Sequence, residues 1–101
     1  MSVLSLEELR QLPGPEHEQA GVYFLWDGDE LVYIGKSKHL MCRYSEHLIG
    51  KQRPWVGRYT PYEFTRMTCL VLEDHELMAR EWLYLQAYET RYNMDRSPRG
   101  G

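Results

Sequence analysis

Residues 21–26, GVYFLW, form an unbroken apolar run, and residues 30–34, ELVYI, follow as a second β-prone run opened by Glu30, with Asp27, Gly28 and Asp29 between them. Two β-prone runs joined through an Asp-Gly pair predict an antiparallel hairpin. The strand period of two puts Tyr23 and Leu25 on one face and Val22, Phe24 and Trp26 on the other. Ahead of the hairpin, Ser5-Leu6-Glu7-Glu8 has the spacing of a capping box, and Pro13-Gly14-Pro15 stops the short helix it opens. After the hairpin, Ser37 is placed to cap a helix over residues 38–49. Leu40, Arg43, Tyr44 and His47 share one stripe of that helix, and Gly50 is its expected stop. Residues 51–60 read as a loop. Residues 62–72 read as a third strand, with Thr65, Thr68 and Val71 supplying β-branched character. Asp74 caps a final helix ending near Tyr92, in which Leu77, Glu81, Leu85 and Tyr88 form one stripe. Residues 94–101 read as a frayed, flexible tail.

A length of 101 residues predicts one domain over 1–101, with its core in 21–93. Hydrophobic residues make up 43% and aromatics 13%, which excludes a disordered chain. Cys42 and Cys69 stand apart, with no CxxC or Cys/His metal spacing, and read as reduced small hydrophobes of an intracellular protein. No apolar stretch approaches ~18 residues and no secretory leader is visible. The expectation is a soluble, cytoplasmic protein with no membrane partner.

The net charge of −3 argues by itself against a nucleic-acid partner, and its distribution argues for one. Lys36, Lys38, Arg43, Lys51, Arg53 and Arg58 face a single acid, Glu46, so residues 36–58 carry +5 and the remainder −8. A positive segment on an acidic body suits a polyanion meeting one face, although a solvated basic surface would look the same.

Four features bear on chemistry. Tyr23 and Tyr33 sit near the centres of adjacent strands, Gly35 and Lys36 follow as the hairpin turns into a helix, and Arg43 and His47 lie one helical turn apart. Glu81 is a carboxylate inside an apolar stripe. Strand tyrosines are ordinarily packing residues, and a helical arginine is ordinarily solvated. A buried, unpaired carboxylate is costly, so Glu81 calls for a partner, which an arginine or a metal ion would equally supply.

Taken together these residues resemble a known family. Gly21-Val22-Tyr23 followed by Tyr33-Ile34-Gly35 is similar to the paired signature of the GIY-YIG nucleases. Lys36-Ser37-Lys38-His39-Leu40 and then Arg43 resemble its continuation into a helix, and Arg91-Tyr92-Asn93 resembles its closing segment with a structural asparagine. The similarity runs from Gly21 to Asn93, with Val22 in place of isoleucine. It is greatest to the nuclease domain at the N-terminus of the bacterial excision-repair incision enzyme and to small stand-alone relatives. The resemblance implies an α+β fold, a small three-stranded antiparallel sheet flanked by helices. It also implies a metal-dependent endonuclease that hydrolyses a phosphodiester bond in DNA.

On that reading Glu81 holds one Mg²⁺ or Mn²⁺, since no second carboxylate shows convincing metal spacing. Arg43 suits the scissile phosphate because its planar fork donates two parallel bonds. Tyr33 is the implied general base. A free tyrosine ionises near ~10, so it needs positive charge nearby, which Lys36 helps to supply. Tyr23 orients the water or the other phenol. His47 has three open roles: bonding the phosphate, bonding Tyr23, or relaying a proton. Gly35 and Asn93 are structural residues near the site. Lys38, Arg53, Trp55 and Arg58 are candidate nucleic-acid contacts, with Trp55 and Tyr59 equally able to pin their loop to the core.

No recognition helix or zinc module is visible, so cutting is expected to be structure-selective or weakly sequence-selective. The choice between DNA and RNA stays open. The alternatives are a non-cleaving nucleic-acid-binding module and a protein-interaction module in a DNA-repair complex. A targeting protein or a second subunit is the expected additional partner.

Overall fold

The computed structural model describes residues 3–52 and 62–96, the last three as backbone alone. At its centre lies β1 (Gly21–Asp27), flanked by β2 (Glu30–Ser37) and β3 (Arg66–Val71) in the order β2-β1-β3, both antiparallel to it. This position explains the apolar run. The central strand is covered on both faces, so residues 21–26 are all buried and no polar alternation survives.

One face carries Tyr23, Leu25, Tyr33, Met67 and Cys69, packed against Leu40, Tyr44 and Leu48 of α2 (Leu40–Gln52). The other carries Val22, Phe24, Trp26 and Ile34, covered by Leu9 of α1 (Leu6–Arg10) and by Tyr84 and Leu85 of α3 (Leu77–Ala87). Each such side chain contributes about 1.5–3 kcal/mol on full burial. The polar tips that go inside find partners: Trp26 Nε1 donates to Thr68 Oγ1 at 3.0 Å, and the Tyr84 hydroxyl accepts from the Leu4 amide at 3.1 Å. The result is the three-stranded antiparallel α+β architecture expected from sequence.

Several boundaries differ from the expectation, each for a tertiary reason. The capping box of α1 forms as read, with Ser5 N donating to Glu8 Oε1 and Glu8 N to Ser5 Oγ. The hairpin turns through Gly28 (φ +65°), in the left-handed region that glycine tolerates best. β2 does not end at Ile34. It continues to Ser37, because Gly35 and Lys36 still have partners in Tyr23 and Val22. β3 starts at Arg66, opposite Trp26, not at Tyr62; beyond that pair Asp27 partners only Glu30 of β2, and the chain before Arg66 is tied to β1 through Thr65 N and Trp26 O rather than by strand pairing.

Ser37 bonds only the His39 amide, and helix α2 begins at Leu40. The cap comes from far away in sequence, with Glu18 Oε1 accepting from Met41 N at 2.9 Å and Cys42 N at 3.2 Å. Gly50 does not stop α2 but lies buried within it.

The final helix is broken. Asp74–Glu76 is a 3₁₀ turn, α3 ends at Ala87, and a short α4 (Arg91–Arg96) follows. Tyr88 is extended (φ −132°, ψ 128°), and its hydroxyl donates to Leu4 O at 2.6 Å. That tertiary bond and the packing of Tyr88 favour leaving the helix there. Residues 94–96, expected in the tail, belong to α4; the rest of the expected tail lies outside the described residues.

Candidate active site

The two hairpin phenols share a face because of a β-bulge. Leu25 pairs with Tyr33 and Trp26 with Leu31, so Val32 is an extra residue in β2. Strict alternation from Leu31, which packs on the α3 side, would put Tyr33 there too. The bulge shifts the phase, and Tyr33 joins Tyr23 on the α2 side with ring centroids 6.0 Å apart. Gly35 completes the arrangement. A Cβ on it would stand 2.5 Å from Cζ of Tyr23, so the Tyr23 ring lies where any side chain at 35 would be.

Helix α2 brings Arg43 and His47 to the same place. His47 Nε2 and the Tyr23 hydroxyl are 2.9 Å apart, and both residues are 1% exposed. Burial holds the Tyr23 phenol well above its ordinary range, with Tyr33 adding to the effect and the nearby Arg43 guanidinium opposing it. His47 is pushed down to about 4 by burial and then by the Arg43 charge. Both groups are therefore neutral near neutral pH, and the phenol's hydrogen is matched to the imidazole's lone pair. Tyr33 is 8% exposed, with Tyr62 4.8 Å away on one flank and His47 5.8 Å away on another. Arg43 Nε donates to Glu46 Oε1 at 3.1 Å, and its Nη1 donates to the Lys36 carbonyl at 3.4 Å.

Neutral His47 has a consequence for stability. Between the ordinary imidazole value of 6.5 and about 4, the unfolded chain takes up a proton that the folded site refuses. The His47 contribution is thus full above about pH 6.5 and is lost as pH falls toward 4, by about 3 kcal/mol in all. Thermal melts of the wild type and His47→Gln across pH 4–7 should show a steeper acid fall in the wild type. Parallel curves would mean that His47 takes up its proton alike in the folded and the unfolded chain.

Lys36 belongs to β2 but points the other way, toward α3. Its Nζ lies 3.2 Å from Glu81 Oε1. The Glu81 side chain is 16% exposed and that of Lys36 40% exposed. The carboxylate on the apolar stripe thus has a lysine as its side-chain partner, where the sequence reading weighs an arginine. The contacts run on without a gap. Glu81 meets the Lys36 ammonium, the Lys36 carbonyl meets Arg43, Arg43 meets Tyr23, and Tyr23 meets His47. The Lys36–Glu81 pair toward α3 and the Tyr23, Tyr33, Arg43 and His47 group toward α2 are thus joined through the backbone of β2 at Lys36.

The donor set fits one kind of ion. Among the described residues no three His, Cys, Asp or Glu side chains cluster, so a cation needing a full protein cage is not served. A hard divalent ion that keeps water and phosphate oxygens in its shell needs one carboxylate, and Glu81 supplies one in a half-buried position.

Asn93 anchors the edge of the sheet. Its Oδ1 accepts from Ile34 N at 2.7 Å and its Nδ2 donates to Ile34 O at 3.0 Å, taking the place of a missing neighbouring strand. The Thr90 hydroxyl donates to the same Oδ1. Lys38 is exposed between β2 and α2, while Arg53, Trp55, Arg58 and Tyr59 lie outside the described residues. Sequence reasoning missed Tyr62, which stacks on Tyr92 (4.4 Å, 16°) and walls the phenol cluster. Its only signal was an aromatic at the start of the expected third strand. It also missed Glu18 and Glu46, which have no signal beyond their charge.

The sequence profile of the family described as the GIY-YIG catalytic domain matches residues 19–93. Among solved structures, the chain is similar to the crystal structure of the GIY-YIG N-terminal endonuclease domain of UvrC from Thermotoga maritima, bound to its catalytic divalent cation, magnesium. The match has a TM-score of 0.53 and 23% identity, and covers 86% of this chain and 97% of that one, a likeness of fold. No curated protein matches the chain in sequence. Among the described residues no helix is long and apolar enough to cross a membrane.

Proposed function

This chain belongs to the GIY-YIG catalytic-domain family, and from that premise we propose that it is a divalent-metal-dependent endonuclease that hydrolyses phosphodiester bonds in DNA. The observation that supports this most is the unbroken line of contacts from Glu81 through Lys36 and Arg43 to Tyr23 and His47. Packing alone gives no reason for a half-buried carboxylate, two cations and two phenols to be linked through one residue of an edge strand, Lys36.

Glu81 would hold one Mg²⁺ or Mn²⁺, and a bound ion would supply charge stabilisation to the reacting phosphate. Arg43 binds the phosphate and stabilises the negative charge that builds as water attacks phosphorus. Tyr33, the more accessible phenol, first gives its own proton to solvent and, as phenolate, takes a proton from that water as the new P–O bond forms and the bond to the leaving oxygen breaks. Arg43 beside the phenols favours the proton's departure. Tyr23 and His47 are too buried to meet a phosphate, and of the three roles open to His47 the geometry supports holding Tyr23. Tyr23 in turn fixes the position of Tyr33. Lys36 neutralises Glu81 in the resting arrangement and is exposed enough to turn to the phosphate backbone.

Nothing in the described residues reads base edges, which supports structure-selective or weakly sequence-selective cutting. Incubation with branched, nicked and plain duplex DNA, in Mg²⁺ or Mn²⁺ and in EDTA, tests the proposal. Metal-dependent products with mapped ends are expected, richest on one non-duplex structure. A salt-dependent shift with every strand intact would favour the non-cleaving reading.

A further inference from the structure

Glu46 is the sole acidic residue between Lys36 and Arg58, inside the segment that carries +5. It should weaken any polyanion's attraction to that segment, and as an i, i+3 pair on a helix it stabilises by only about 0.2–0.5 kcal/mol. Neither effect accounts for its place. Its contact does: Glu46 Oε1 takes the Nε of Arg43 at 3.1 Å, with the two side chains 26% and 33% exposed. On another edge of the same guanidinium, the Lys36 carbonyl from β2 takes Nη1 at 3.4 Å. An arginine stem has several soft torsions, and a single contact leaves the planar head free to swing. The Lys36 carbonyl and the Tyr23 phenol approach the head from the sheet, and Glu46 adds the hold from the helix that fixes the plane.

We propose that Glu46 is a positioning residue for Arg43, holding the guanidinium plane so that its fork meets the phosphate in register. This rests on the nuclease reading given above. Misplacing a charge-stabilising group by about 1 Å can cost about 10²-fold in rate. The two substitutions at Glu46 therefore separate geometry from charge.

The experiment compares Glu46→Ala and Glu46→Gln with wild type in Mg²⁺-dependent single-turnover cleavage of a branched DNA, alongside binding of the same DNA in EDTA. Glu46→Ala should lower the cleavage rate about tenfold or more while binding stays equal or tightens, because a negative charge has gone. Glu46→Gln keeps the acceptor oxygen and should stay within about threefold of wild type. In an Arg43→Ala background, Glu46→Ala should add nothing further, since the two act as one unit. Cleavage by Glu46→Ala at the wild-type rate would overturn the proposal. So would Glu46→Gln failing as badly as Glu46→Ala, which would make charge the active property.

The Arg43 Nε–H resonance, identified by its loss in Arg43→Lys, gives a readout independent of cleavage. It should be protected from exchange in wild type and Glu46→Gln and exposed in Glu46→Ala. If wild type cuts no DNA, the nuclease reading fails by itself. An Arg43 signal already exposed in wild type would remove the positioning role whatever the cleavage result.

Discussion

Glu81→Ala is expected to leave the domain folded and to reduce metal-dependent cleavage by about a thousandfold or more. The stability half follows from the surroundings of Glu81. The substitution strands only Lys36, whose side chain is 40% exposed and can be solvated where it stands. Exposed or half-exposed pairs of this kind contribute about 0–1 kcal/mol. The activity half follows from the lack of a substitute. Among the described residues no second acidic or imidazole cluster can hold the ion. A bound cation contributes several kcal/mol of charge stabilisation, and each 1.36 kcal/mol is about tenfold in rate. Glu81→Gln keeps the shape and should fail nearly as badly. Thermal melts with single-turnover cleavage decide the matter. A variant that melts like wild type and still cuts within tenfold of it would remove Glu81 from the mechanism.

Gly35→Ala should harm stability and activity together. Its Cβ would lie 2.5 Å from Cζ and Oη of Tyr23 and 2.9 Å from Cε2. Tyr23 is not a flexible tip that can step aside, since it is 1% exposed and its hydroxyl is held by His47. Overpacking at such a site costs about 1–3 kcal/mol, and losing the Tyr23–His47 bond adds to it. In a domain of this size each kcal/mol lowers the melting temperature by about 4–8 °C, so a fall of about 10–20 °C is expected. Tyr23→Ala in the Gly35→Ala background should cost less than the sum of the two singles, because the second change opens the space the first one needs. Gly35→Ala melting at the wild-type temperature would show that the close approach is not as described.

What the sequence revealed was set by local rules, and what it hid was set by distant contacts. The α1 capping box, the hairpin and the split of β1 into two faces all follow from spacing within a few residues. Glu81 stood out because a carboxylate on an apolar stripe needs a partner. That the partner is Lys36 depends on β2 continuing past Ile34, which Gly35 and Lys36, poor strand formers, did not suggest. The bulge at Val32 has no sequence mark, yet it decides which face Tyr33 occupies. The break after Ala87 hid behind a continuous helical period, because the bonds of Tyr88 to Leu4 and Asn93 to Ile34 span 84 and 59 residues. The Glu18 cap on α2 and the hold of Glu46 on Arg43 were equally invisible, since any surface carboxylate reads alike until its neighbours are known.

The central claim is that one divalent cation is held by Glu81 beside the phosphate-binding arginine and the two phenols. Crystals of the protein grown with Mn²⁺ and a short nicked duplex, with anomalous data collected at the manganese edge, test it most directly. A single anomalous peak within about 2.2 Å of a Glu81 carboxylate oxygen is predicted, at the distance typical of hard-ion oxygen contacts. The same peak should touch a phosphate oxygen that Arg43 also bonds, and it should vanish in Glu81→Ala. Manganese bound elsewhere with Glu81 still paired to Lys36, or a phosphate seated away from Arg43, would contradict the account.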